Sequence, residues 1–181
     1  MKRVQVKDRE FELYLEYDRL RPEIVRVARE IRKDLADKDP LFVCVLNGAF
    51  TFAAELMIEL DDKYQLAFAK YSSYQGMQST GVLTEEIPPE VDMNGRTVVI
   101  IEDLVDSGFT LHKVRELYME RGAKEVKIAV MLSKPDAPKV VDIRPDYIGM
   151  EIPNDFIVGH GLDYDGHGRM LKDISVSYTH L

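Results

Sequence analysis

The residues from Glu102 to Thr110 concentrate the groups in this sequence best suited to chemistry. Glu102, Asp103 and Asp106 supply carboxylates, while Ser107 and Thr110 supply hydroxyls and Gly108 lets a ligand approach the backbone closely. Hydroxyls and unpaired N–H groups at the start of a helix suit a dianionic phosphate monoester. Acids beside them would repel bare phosphate, yet they accept hydrogen bonds from sugar hydroxyls and attract Mg²⁺, a hard cation that prefers oxygen. A phosphorylated sugar carrying magnesium satisfies both halves of the segment. The plainer alternative is that Asp106 and Ser107 cap the helix and that Glu102 and Asp103 are the solvated end of a strand.

The surrounding elements place this segment where ligands bind. Thr97-Val98-Val99-Ile100-Ile101 is the strongest strand signal in the chain, and Leu111, Val114, Leu117 and Tyr118 mark a helix ending near Gly122. The segment therefore joins the carboxyl end of a strand to the next helix, the usual ligand position in an open α/β sheet. Leu41 to Leu46 reads as a buried strand running into Asn47-Gly48, and Phe52, Ala53, Leu56, Met57 and Leu60 form the stripe of a second helix. Ile24, Val27, Ala28, Ile31 and Leu35 mark an amphipathic helix from Pro22. Further strands are expected at Tyr64 to Ala69, Val82 to Glu86, Val126 to Leu132, Tyr147 to Ile152 and Phe156 to Val158. Tyr71 to Gly81 has neither hydrophobic period and reads as a long loop. Alternating strands and helices predict an α/β fold, a doubly wound and mostly parallel sheet, with a small cap from the C-terminal segment. The expected organisation is one domain over residues 1–181, its core at about 17–133 and its cap mainly at 134–181.

Composition narrows the function. A formal net charge of -8 disfavours a nucleic-acid binder, whose affinity comes mostly from Lys and Arg neutralising phosphates. Cys44 is the only cysteine, which excludes an intramolecular disulfide and, within an apolar run, behaves as a small hydrophobe. No apolar run approaches the roughly 18 residues of a membrane span, and the charged N-terminus lacks a signal-peptide core. The expectation is a cytoplasmic protein without a membrane partner. His112, His160, His167 and His180 share no metal-ligating spacing.

Acids after five β-prone residues, followed by Asp-Ser-Gly-x-Thr, form a compound pattern: Val98 to Thr110 resembles the phosphoribosyl pyrophosphate signature of the type I phosphoribosyltransferases, and most of all their hypoxanthine-guanine branch. The resemblance runs from about Leu41 to Arg169. It implies that Glu102 and Asp103 hold the ribose hydroxyls, directly or through Mg²⁺, and that Asp106, Ser107, Gly108, Phe109 and Thr110 cradle the 5-phosphate. Asp106 would also serve as general base at purine N7. Asn47 and Gly48 resemble the pyrophosphate loop, whose backbone often includes a cis peptide; many relatives carry Lys where this chain has Asn47. Ser73 and Tyr74, with Ser79-Thr80-Gly81, resemble a mobile flap that excludes water. Lys134 resembles the donor to purine O6, Phe156 the aromatic stacked on the base, and Ile157 a backbone contact to its edge. Asp163 resembles a second magnesium ligand near the purine, and Arg169 a pyrophosphate contact. Read without the resemblance, Asn47-Gly48 is an ordinary turn, Lys134 a surface charge and Phe156 core packing.

The resemblance implies purine salvage: a purine base and phosphoribosyl pyrophosphate as small-molecule substrates, Mg²⁺ as cofactor, and a homodimer or homotetramer. A nucleotide-sensing, RNA-binding regulator on the same fold is the rival from another class, marked by a basic face. An enzyme for xanthine or a pyrimidine is the third.

Overall fold

Two continuous apolar runs build the centre of a large sheet because helices cover both of its faces. The structure, a computed structural model, describes residues 2–74 and 82–177, and of Ser73 and Tyr74 the backbone alone. In chain order the elements are β1 (Arg3–Val6), β2 (Arg9–Leu15), α1 (Tyr17–Asp34), β3 (Leu41–Leu46), α2 (Phe50–Leu60), β4 (Gln65–Tyr74), β5 (Val82–Ile87) and β6 (Thr97–Val105). They continue through α3 (Phe109–Glu120), β7 (Glu125–Ser133), β8 (Tyr147–Glu151), β9 (Phe156–Val158) and β10 (Ile174–Ser177).

The large sheet has six strands in the order β5-β4-β3-β6-β7-β8, all parallel except the β4–β5 pair. Alternate residues of its central strands point to opposite faces. Phe42, Cys44, Val99 and Ile101 pack with α1 and α2, while Leu41, Val43, Val98 and Ile100 pack with α3. The doubly wound, mostly parallel sheet expected from the sequence is the fold observed.

A second, antiparallel sheet of four strands in the order β1-β2-β10-β9 forms the hood. The C-terminal segment supplies β9 and β10 to this cap, but its other two strands come from the N-terminus. β8, expected beyond the core boundary at residue 134, instead extends the large sheet by parallel pairing with β7. Leu15, Ile174 and Val176 are buried in the same core cluster as α1 and α2, so the hood is seated on that face.

Three expected boundaries move for physical reasons. α1 begins at Tyr17, ahead of Pro22, which lies inside the helix and has no N–H to give the Asp18 carbonyl. Its first turn is held from outside, by the Tyr17 N–H donating to Asp173 Oδ1 at 3.0 Å. Tyr71 to Tyr74, expected in a loop, continue β4 because they pair with β5 as far as Tyr74↔Val82. Tyr71 anchors that extension: its hydroxyl is 2.9 Å from the Tyr118 hydroxyl on α3 and donates to Glu85 at 3.0 Å. Glu102 and Asp103 belong to β6, since its pairing with β7 runs to Val105↔Ser133. Ser79-Thr80-Gly81 and His180 lie outside the described residues.

Candidate active site

Where the partners of β6 end decides which of its residues meet a ligand. Pairing with β3 stops at Cys44↔Ile101, whereas pairing with β7 continues four residues further. Beyond Ile101 the strand therefore keeps one open side, and Glu102 and Asp103 stand there. By strand alternation Asp103 points with Val99 and Ile101 towards the α2 face, and Glu102 with Ile100 towards α3. A cavity of about 240 Å³ opens at this edge, lined by β6 from Glu102 to Val105, by Asp106, Ser107, Gly108 and Thr110, and by Leu162.

The two acids are poised for a counter-charge. Burial and the neighbouring Asp103 carboxylate hold Glu102 well above the usual carboxylate range, and burial also raises Asp103. No protein cation is bonded to either one among the described hydrogen bonds and ion pairs; Arg169 acts on Asp103 only through its field. No group of three His, Cys, Asp or Glu side chains capable of holding a metal occurs among the described residues. Two half-buried carboxylates alone suit Mg²⁺, which commonly takes one or two protein carboxylates and completes its shell with water and substrate phosphate.

Beyond the acids the chain turns into α3 with Gly108 as N-cap, in the left-handed region at φ 79°. Gly108 has no side chain to close the helix, and Ser107 Oγ reaches the Phe109 N–H only at 3.4 Å. The residues that open α3, Gly108, Thr110 and Leu111, line the cavity with no side chain of Asp106 capping them, so Asp106 is not the cap that the plainer reading required. The Asp106 carboxylate instead lies 3.7 Å from Lys134 Nζ, whose side chain is only 7% exposed. Such burial separates Lys134 from an ordinary surface lysine.

The loop after β3 completes one wall. Leu46–Asn47 is a cis peptide, as the resemblance implied. A Cβ at Gly48 would sit 1.6 Å from Asp103 Oδ2, so any other residue there would push that acid from its place. A Cβ at Gly161 would meet the Gly48 carbonyl at 2.1 Å, which presses the hood onto the same loop. Arg169 fixes that hood segment by donating Nη1 to the Gly161 carbonyl at 2.8 Å and pairing Nη2 with Asp163 Oδ1 at 2.7 Å.

The remaining expected site residues lie at varying remove from the cavity. The other oxygen of Asp163 accepts the Gly166 N–H at 2.6 Å, so its carboxylate is committed to the hood turn and to orienting Arg169. The described residues do not join it with Glu102 and Asp103 in a metal group. Phe156 is half-buried and packs its ring against Phe11 and Tyr164, at centroid distances of 6.3 and 5.9 Å. Ile157 pairs with Val176 in the hood. Ser73 and Tyr74 end β4. Cys44 is buried, with its thiol pushed up to about 12 chiefly by burial, which removes it as a nucleophile. His160 is buried with its Nε2 3.8 Å from Glu55.

Sequence reasoning missed Lys139. Its ammonium donates to the carbonyls of Asp106 and Lys134, each at 2.6 Å. A lysine in a Pro-rich loop carries no pattern that announces such a contact.

A doubly wound sheet with open helix amides and paired acids at its carboxyl edge defines an α/β protein built to handle a phosphorylated, hydroxyl-bearing ligand. Within that class the particular lineage is plain: residues 14–165 match the phosphoribosyl transferase domain, and the chain belongs to that family. A hypoxanthine-guanine phosphoribosyltransferase of Streptococcus thermophilus is 44% identical over 153 residues, covering 83% of each chain. That of Streptococcus pneumoniae is 38% identical over 161 residues, covering 88% of this chain and 89% of its own. The crystal structure of a hypoxanthine phosphoribosyltransferase from Staphylococcus aureus superposes with a TM-score of 0.86 at 30% identity, covering 91% of this chain and 90% of the other.

Proposed function

We propose that this chain is a purine salvage enzyme that transfers the 5-phosphoribosyl group of phosphoribosyl pyrophosphate to N9 of hypoxanthine, guanine or both, releasing pyrophosphate. The relatives named above carry that activity in their names. The observation that carries the reading is the one cavity lined by the start of α3, by the acids Glu102 and Asp103 and by Asp106, whose carboxylate lies 3.7 Å from Lys134 Nζ.

Each group has a role set by its chemistry. The N–H groups from Ser107 to Thr110 and the hydroxyls of Ser107 and Thr110 bind the 5-phosphate. Glu102 and Asp103 accept hydrogen bonds from the ribose hydroxyls and are the residues that would hold Mg²⁺. When bound, that ion supplies positive charge against the departing pyrophosphate. The backbone at Asn47 and Gly48 faces the same leaving group. As the bond from C1′ to the pyrophosphate oxygen breaks and the bond from C1′ to N9 forms, the proton shed from N7 passes to the Asp106 carboxylate. No covalent enzyme intermediate is required, and most of the rate comes from holding two reactants in line.

Lys134 selects the base. Its ammonium has only donors, which match the O6 acceptor of hypoxanthine and guanine and face the amino group of adenine unfavourably. Phe156 offers a half-exposed ring to the base plane, and the Ile157 backbone lies at its edge.

The decisive assay offers hypoxanthine, guanine, xanthine, adenine and uracil separately with phosphoribosyl pyrophosphate and Mg²⁺ and measures nucleotide formed. IMP or GMP formed well ahead of the other products is the expected result. Nucleotide from uracil or adenine alone, or from no base, overturns the proposal.

A further inference from the structure

We infer that Lys139 is a positioning residue for this transfer, holding Asp106 and Lys134 at one fixed spacing. The inference rests on the roles proposed above for those two residues.

The need for such a residue follows from where the ladder stops. β6 and β7 pair as far as Val105↔Ser133, and one more bond, from the Lys134 N–H to the Val105 carbonyl at 3.0 Å, follows. After it the chains part, one into α3 and the other into the stretch leading to β8. Asp106 and Lys134 are the first residues past the paired strands; that last bond reaches Lys134 from Val105, and no backbone bond joins Lys134 to Asp106 itself. Their carbonyls are also the first that the sheet leaves without a strand partner.

Lys139 supplies the missing tie. One ammonium donates to both carbonyls at 2.6 Å, and its charge makes these bonds stronger than neutral ones. The next residues extend the seam: the Val140 and Val141 N–H groups approach the Ser107 carbonyl at 3.0 and 3.4 Å. The short segment 139–141 thus fastens the start of the phosphate-binding turn to the base-recognising lysine.

Lys139 acts through other groups. Its side chain lines a separate cavity of about 440 Å³, with Pro135, Asp142, Arg144 and Glu151, and not the cavity at the acids. It is exposed and buries little apolar surface, so its loss should leave the fold standing while loosening the spacing of two reacting partners. Misplacement by about 1 Å can cost on the order of 100-fold in rate.

Lys139→Met and Lys139→Arg test the inference beside the parent enzyme. Expected for the Met variant is a fall of about 10- to 100-fold in kcat/KM for hypoxanthine. Its Tm and its Kd for phosphoribosyl pyrophosphate with Mg²⁺, measured without base, should stay close to the parent's. The Arg variant, which keeps a cation with several donors, should recover most of the loss. An active parent matched by Lys139→Met in kcat and KM overturns the inference alone. So does a Met variant whose activity, Tm and donor affinity all fall together without recovery in Lys139→Arg, because that pattern marks a fold residue. A parent that makes no nucleotide overturns the proposed function, and the inference with it.

Discussion

At the scale of single residues, the site combines groups whose chemistry depends on very close neighbours. Asp106 stays exposed beside a buried ammonium, an arrangement suited to accepting a proton that a purine sheds. Asp106→Asn keeps the shape and removes the base. Turnover should fall by about 10²–10⁴ while the Kd for phosphoribosyl pyrophosphate holds, as steady-state kinetics and calorimetry would show. Lys134→Ala should cut the preference for hypoxanthine over adenine by at least about tenfold, read as a ratio of kcat/KM values. Gly48→Ala would put a methyl where the Asp103 carboxylate stands, 1.6 Å from its Oδ2. That variant should fold and yet lose magnesium-dependent binding of the sugar donor, and unchanged calorimetric binding would contradict the packing described.

At the scale of elements, the sequence spoke clearly wherever one period dominated. Thr97 to Ile101 and Leu41 to Leu46 read as strands because burial on both faces leaves no room for polar alternation. The acids after Ile101 were legible as a site through their spacing to Ser107 and Thr110, even though they proved to lie within β6. β1 and β2 were missed, although Phe11, Leu13 and Leu15 alternate with charged or polar residues, because charges such as Arg9, Glu10 and Glu12 masked the period. β10 went unread for a different reason: four residues make too short a window, and only its neighbours define it. Long-range contacts were illegible altogether, among them the cap that Asp173 provides for α1. Its carboxyl is held below the usual range, first by the Tyr17 N–H and then by Lys2. A lowered native value gives stability that is present above the unfolded pKa, about 4, and is lost as pH falls through the folded one. Asp173→Ala should therefore cost about 0.5–2 kcal/mol near neutrality by denaturant titration. The gap from the parent should close progressively in acid, and a gap independent of pH would argue against the cap.

At the scale of the whole molecule, the net charge of -8 leaves phosphate recognition to local geometry. In the function proposed above, backbone amides and a bound cation would do what a basic surface does elsewhere. An RNA hairpin at physiological salt should remain unshifted in a gel, and a retarded band competed by nucleotide would favour the regulatory reading over the enzymatic one. No helix among the described residues is long and apolar enough to cross a membrane. The hood has a further consequence for how the protein is made. β10 sits between β2 and β9, so a strand synthesised near the start and one synthesised late must wait for it before they share a sheet. A ribosome could release every strand of the larger sheet, complete with its acids and phosphate turn, while the Asp173 brace is still in the exit tunnel. The nascent polypeptide would then hold a half-built, one-sided pocket, and the hood would close over it only after residues 173–177 had left the tunnel.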